Sequence, residues 1–234
     1  LVELRWSPFC FFLILVQSFQ YAVAAQMFVM AAYLMPSGDS IANGTYTSVR
    51  DEWPNVPRIF VWTDSYDMIS SAEFAGNLLF GVIPNLLSDR YGRRAVLVVV
   101  LYGIGIADIA CALAPNFWTL IMARFLQGSF ITAITSLNFV YVIESIDRNC
   151  RFFAYCAFGF FWMFGYCIVA PTALLIGSWR SILIVNGFFV LLCALLESFL
   201  VPESPYFCVA LDDLDKLEEF VKTSQWFNRR SYNV

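Results

Sequence analysis

The chain contains no histidine, and only 14% of its 234 residues are charged. The first absence removes a histidine-ligated metal site and a histidine proton relay. The second sets it apart from an average globular protein, where charged residues make up roughly 25%. The formal net charge of −4 gives no basic footprint for nucleic acid. Cysteines stand at Cys10, Cys111, Cys150, Cys156, Cys167, Cys193 and Cys208, with no C-x-x-C pair of the kind a zinc cluster uses. None of them falls in the long loop at 36–66. Disulfides persist in oxidising compartments, so all seven read as free thiols in membrane or cytosol. No nucleophile–base pair and no cofactor motif stands out, which leaves an enzyme reading without support.

Apolar residues fill the space that charge vacates. They make up 60% of the chain and include 24 Phe and 7 Trp, against a usual apolar share of roughly 45–50%. A bilayer core of about 30 Å takes about 20 apolar residues as helix. Six stretches qualify, at roughly Pro8–Met35, Asp67–Leu87, Ala95–Ala114, Phe117–Ile143, Phe152–Ile176 and Ser181–Val201. Backbone groups in hydrocarbon must pair internally, and the runs do not alternate apolar and polar, so helices are expected throughout. The first run is too long for a signal peptide, whose apolar region spans about 7–15 residues, although Ala22-Val23-Ala24 has the small residues of a cleavage site. Residues 1–201 are expected to form a six-helix transmembrane bundle with an outer loop at 36–66. Residues 202–234 read as a cytosolic segment with a short amphipathic helix, capped at Asp212-Asp213 and presenting Leu214, Leu217, Phe220 and Val221 on one face.

Orientation follows from lysine and arginine. With the N-terminus inside, Arg5, Arg90, Arg93, Arg94, Arg148, Arg151, Lys216, Lys222, Arg229 and Arg230 are cytosolic, and only Arg50, Arg58 and Arg180 lie outside. Both termini are then cytosolic. The loop at 36–66 faces outward and carries Asn43-Gly44-Thr45, a glycosylation sequon.

The short turn Ser88-Asp89-Arg90-Tyr91-Gly92-Arg93-Arg94 packs charge between two spans. Gly92 suits a positive φ, and arginine forks pair with carboxylates bidentately. Glu144 to Arg151 and Pro202-Glu203-Ser204-Pro205 add charge at the same end. A network that forms in one conformation and breaks in another is a latch. Positive-inside anchoring alone is the plainer alternative.

These turns resemble the signatures of the major facilitator superfamily. Leu87, Asp89, Arg90, Gly92, Arg93 and Arg94 match its helix 2–3 pattern G-x-L-x-D-R-x-G-R-R, with Asn85 where the first Gly would stand. Arg124-Phe125-Leu126-Gln127-Gly128 is similar to the helix 4 R-x-x-x-G element. Tyr141, Glu144 and Arg151 match the Y-x-x-E-x-x-x-x-x-x-R pattern of sugar and organic-ion carriers. Trp179-Arg180 and Pro202-Glu203-Ser204-Pro205 resemble the helix 5–6 turn and P-E-S-P-R element of the organic cation/anion transporter family, with Tyr206 in place of the final Arg. The resemblance implies an all-α membrane protein whose six transmembrane helices form the N-terminal half of a major-facilitator fold. It implies a cytosolic gate of Asp89, Arg90, Gly92, Arg93, Arg94, Glu144, Arg151 and Glu203. It also implies a small organic ion as substrate, a plasma-membrane location, and a C-terminal six-helix half in the same full-length chain or in a second subunit.

A charge at mid-bilayer costs at least about 2.5–3.5 kcal/mol, so Arg124 and Asp108, at similar depth, are expected to form an ion pair or share a network, either structural or substrate-coupled. Arg124, Gly128, Thr132, Thr135 and Phe139 share one helical face. That face lines the substrate path in the organic-ion family, and small residues and threonines also serve helix packing. Gln17, Gln20, Asn77, Trp162 and Tyr166 complete the candidate cavity, lined by spans 1, 2, 4 and 5. Glu197 is expected to reach the membrane interface. The alternative to a transporter half is a truncated or non-transporting membrane protein or subunit of the same fold.

Overall fold

A computed structural model describes residues 7–34, 46–57 and 64–228. Helix α1 (Pro8–Leu34) opens with Pro8 in its first turn, where a missing N–H costs nothing, and Ser7 Oγ accepts the Cys10 N–H at 3.2 Å. Short α2 (Val49–Glu52) is closed by a Ser48–Asp51 capping box. Then follow α3 (Met68–Phe80), α4 (Ile83–Tyr91), α5 (Arg93–Ala112), α6 (Phe117–Ser145), α7 (Arg151–Ile176), α8 (Trp179–Leu200), α9 (Pro205–Ala210) and α10 (Leu214–Asn228). Among the described residues five helices are long and apolar enough to cross a membrane. The second expected span departs from this. It is two helices, α3 and α4, interrupted at Gly81-Val82. Pro84 explains the break, because it cannot donate to the carbonyl four residues back and its ring crowds that carbonyl.

The helices pack in a paired pattern. Helix α1 lies on α7, α3 lies on α6, and α5 packs on both α6 and α8. Exchanging the first three spans for the last three turns the α1–α7 pair into the α6–α3 pair and leaves α5–α8 unchanged. That is the relation expected of inverted three-helix repeats. The α3–α6 crossing is close. A Cβ at Gly128 would stand 1.9 Å from the Glu73 carbonyl oxygen, and one at Gly76 would stand 2.0 Å from that of Phe125.

Three apolar clusters stack along the bundle. The middle one joins Met27, Leu97, Leu101, Ile134 and Val190. One at the loop end joins Leu34, Val49, Tyr66, Phe117 and Trp179. One at the charged end joins Phe9, Leu13, Tyr141, Ile146 and Phe220. Large side chains such as Leu78, Leu174, Leu175 and Phe199 stand exposed around the perimeter, an arrangement that costs little only where the surroundings are themselves apolar.

Helix α10 seats on the bundle through Phe220 and Phe227, whose rings meet Phe9 at 5.5 and 5.6 Å. Leu214, expected on the packed face, is exposed. Asp213 caps the helix, accepting the Lys216 N–H at 3.2 Å. The Lys216 ammonium holds the Asp213 carboxyl below its ordinary range, with the backbone bond adding to the effect.

Candidate functional site

At the charged end α4 and α5 are joined by Gly92 alone, at φ 110°. That dihedral demands glycine, and a Cβ there would lie 2.5 Å from Glu203 Oε2, displacing the carboxylate. Arg93 then faces two carboxylates. It pairs with Asp89 one turn back and with Glu144 of α6 at 3.3 Å. Ser204 Oγ donates to the same Glu144 at 2.7 Å. The Arg94 backbone N–H donates to Glu203 at 2.9 Å, and its guanidinium donates to the Ser198 carbonyl. Tyr141 donates to the Pro202 carbonyl at 2.8 Å, tying α6 to the turn after α8.

Asp89, Gly92, Arg93, Arg94, Glu144 and Glu203 are thus brought together. Two of the expected gate residues stand apart. Arg90 is exposed and lies over the Tyr91 ring at 5.7 Å. Arg151 donates to the Ile143 carbonyl at 3.0 Å and, with Asp147, Arg148 and Tyr206, borders a depression of about 470 Å³.

Of the two arrangements expected for Arg124 and Asp108, the direct ion pair is not formed. Arg124 pairs with Glu73 of α3, at 3.4 Å. Asp108 accepts from Gln127 at 2.6 Å and from Asn186 of α8 at 2.8 Å. Equal depth did bring Asp108 near the field of Arg124, but depth says nothing about azimuth. Helix α6 touches both α3 and α5, and Arg124 points to the first while Gln127 points to the second. Glu73 was the residue missed. Its signal was present, since it is an acidic residue within the second apolar run and shares a face with Gly76 and Asn77.

The candidate cavity splits in the same way. Arg124, Gln17 and Gln20 are fully buried and line no open wall. Both glutamines donate to Glu197, which is itself fully buried rather than at an interface. The remaining members form one continuous half-exposed surface. Thr132 donates to Asn77 of α3, and Tyr21 of α1 donates to the Thr135 carbonyl at 2.7 Å. Phe139 lies 5.3 Å from the Tyr155 ring. Tyr21 stacks on Phe158 at 4.5 Å, and Trp162 meets both Phe28 and Tyr166 at 5.6 Å. The wall therefore draws on α1, α3, α6 and α7. It exists because α7 has only 17% of its apolar window buried. Asn43 lies outside the described residues.

At the loop end Arg180 pairs with Glu52 and lies over the Trp179 ring at 4.5 Å. Trp179 Nε1 donates to the same carboxylate at 3.2 Å. This clasp, built from the Trp179-Arg180 dipeptide, secures α2 to the start of α8.

The family model of the Major Facilitator Superfamily matches residues 9–215. The chain belongs to that superfamily. Organic cation/carnitine transporter 4 of Arabidopsis thaliana is 28% identical over 186 residues, covering 78% of this chain and 34% of that protein. Solute carrier family 22 member 16 of Bos taurus is 29% identical over 178 residues, covering 70% of this chain and 30% of that protein. The xylose transporter XylE from E. coli, in a partially occluded inward open conformation, superposes with a TM-score of 0.67 at 17% identity. That match covers 93% of this chain and 55% of the other, and it establishes the fold. The chain spans about a third of the length of the curated relatives it matches. With its apolar helices and superfamily membership, it is an integral membrane protein. The superfamily turn at 87–94 is the segment that joins α4, α5, α6 and the turn after α8. Asn85, its departure from the pattern, is held within the chain, where Ser136 Oγ of α6 donates to it at 2.6 Å.

Proposed function

We propose that the chain is the N-terminal six-helix half of a secondary transporter that moves small organic ions by alternating access. The observation that carries this reading is the charged end, where Arg93 and Arg94 link α4, α5, α6 and the turn after α8 beside a half-exposed aromatic wall. The Arg93–Asp89 pair, with Asp89 mostly exposed, contributes only about 0–1 kcal/mol, so that link can open and close within thermal reach. Closed, it seals the cytosolic side and favours the outward-open state. Tyr21, Trp162 and Tyr166 offer π faces worth about 0.5–2 kcal/mol each to an organic cation. The class of substrate rests on the names of the relatives. In this reading the charged end and both termini are cytosolic, Asn43 is an outer glycosylation site, and the location is the plasma membrane. The opposite wall of the cavity comes from a second six-helix half, in the same full-length chain or in another subunit.

Uptake of a panel of organic cations, anions and zwitterions by the full-length gene product tests the proposal. Asp89→Asn should leave surface expression unchanged and sharply lower uptake of whichever compound is carried. Normal uptake by this variant would overturn the latch. No uptake of any compound by the parent protein would favour the second reading, a non-transporting member of the same fold. Tyr206, exposed where the family pattern has an arginine, points in that direction.

A further inference from the structure

The transport proposal leaves a built polar group unused at the contact between α1 and α8. Glu197 is fully buried, as are Gln17 and Gln20. Gln17 Nε2 donates to both carboxylate oxygens, at 2.9 and 3.0 Å, and Gln20 Nε2 donates to one of them at 2.9 Å. The same two amides leave their carbonyl oxygens, Gln17 Oε1 and Gln20 Oε1, buried with no hydrogen-bond partner. An unpaired buried carbonyl is costly, and here two adjoin a single carboxylate.

The charge is also unbalanced. Among the described residues no lysine or arginine nitrogen lies within ion-pair distance of Glu197. The charged and titratable groups that face it are Arg94 of α5, Glu203 of the turn after α8, Tyr141 of α6 and Cys193 of α8 itself. Arg94 gives its backbone N–H to Glu203 and its guanidinium to the Ser198 carbonyl. Two carboxylates therefore face one guanidinium, and an ionised Glu197 has no cation of its own inside the bundle. Neutral amides solvate that charge but do not cancel it.

We propose that Glu197, Gln17 and Gln20 form a binding site for one small monovalent cation, Na⁺ or H⁺. The two orientations of a terminal amide differ only in which atom faces the neighbour. Turning both amides over directs their carbonyl oxygens to the carboxylate and assembles four oxygen atoms from three side chains. Oxygen donors suit a hard cation. A proton uses the same atoms, with Glu197 protonated and its O–H donating to a glutamine carbonyl. Sodium offsets the carboxylate charge and gives both unpaired oxygens a partner, whereas a proton neutralises the carboxylate and gives one of them a partner. Because the ligands come from α1 and α8, occupancy clamps one helix to the other. The site stands on its own geometry and holds whether or not the chain transports an organic ion.

Thermal unfolding of the full-length protein in lipid nanodiscs tests the site, in NaCl against choline chloride at equal ionic strength and across about pH 5 to pH 8. A sodium site predicts a higher Tm in NaCl, with the Na⁺ affinity weakening as pH falls because protons compete. A proton site predicts no difference between the two salts and a Tm that rises as pH falls. Glu197→Gln should abolish whichever response is seen. Gln20→Leu, which keeps the carboxylate, should weaken the apparent cation affinity at least about tenfold. If Glu197→Gln does not fold, Glu197→Asp and Gln20→Leu are compared instead. Absence of any Na⁺ or pH response in the parent protein overturns the proposal, as does a response that survives these substitutions unchanged. Uptake plays no part in this readout, so failure here is distinct from failure of the transport proposal.

Discussion

Two sets of ion pairs, both anchored on α6, follow opposite physical logic. At the charged end Asp89 keeps 67% of its side chain exposed, while Arg93 and Glu144 each keep 15%. Inside the bundle Arg124 and Glu73 keep 0% and 4%. In the first set the Arg93–Asp89 pair is wet enough to break and reform and is weak, while the Arg93–Glu144 pair is largely shielded. The second has no water to fall back on, so losing one partner strands a charge in a low-dielectric interior. Under the transport proposal the difference separates their roles. The charged end suits a moving part, and the Arg124–Glu73 pair suits a fixed joint between α3 and α6.

Substitution of the joint should have the largest effect. Arg124→Leu leaves Glu73 buried alone and is expected to cost about 3–5 kcal/mol, read as loss of monodisperse protein by size-exclusion chromatography. Adding Glu73→Leu should restore most of the yield, since an apolar pair in place of a buried ion pair is often neutral or stabilising. Equal damage from the single and double variants would show that the pair is not the joint. Next comes the crossing that brings those helices together. Gly128→Leu must push α3 away from the Glu73 carbonyl. Overpacking of this kind costs typically about 1–3 kcal/mol, with the Tm falling accordingly.

The moving part should behave in the opposite way. Glu144→Gln, which keeps an oxygen for Ser204 and Arg93, is expected to leave the protein folded while altering transport as Asp89→Asn does. A large loss of folded protein would place Glu144 with the fixed joints. The smallest effect belongs to the exposed cap of α10. Lys216 lowers the Asp213 pKa, so this contribution is present above the unfolded value of about 3.9 and is lost as pH falls through the folded value. Hydrogen exchange of the first-turn amides of α10 should quicken at that acid end, with little change in the bundle.

Much of the architecture was legible in the residues. Long apolar runs announce membrane helices because lipid leaves the backbone no other way to pair its polar groups, and the observed bounds fall within a few residues of those expected. Pro84 was equally visible as a helix breaker but was read through, which merged α3 and α4. The turn at 87–94 was legible because its geometry is local. One glycine at positive φ and an i,i+4 carboxylate–arginine pair need few distant contacts to form. The buried partners were not legible. Arg124 and Asp108 were matched by depth, and Gln17 and Gln20 were placed on an open wall because their spacing puts them on one face. Spacing gives a face, but it does not say which neighbour that face meets.

What the sequence alone determined was the helical type and approximate bounds of the long apolar elements and the end of the bundle at which charge collects. Those follow from hydrophobicity and backbone pairing along a single strand of chain. Only the tertiary structure decided that Arg124 meets Glu73, that Glu197 draws in two glutamines, and that Tyr21, Thr132 and Trp162 share a surface. Each of these depends on the rotation of one helix about its axis relative to another. That rotation is set by packing of the whole bundle, including the glycine crossing of α3 and α6.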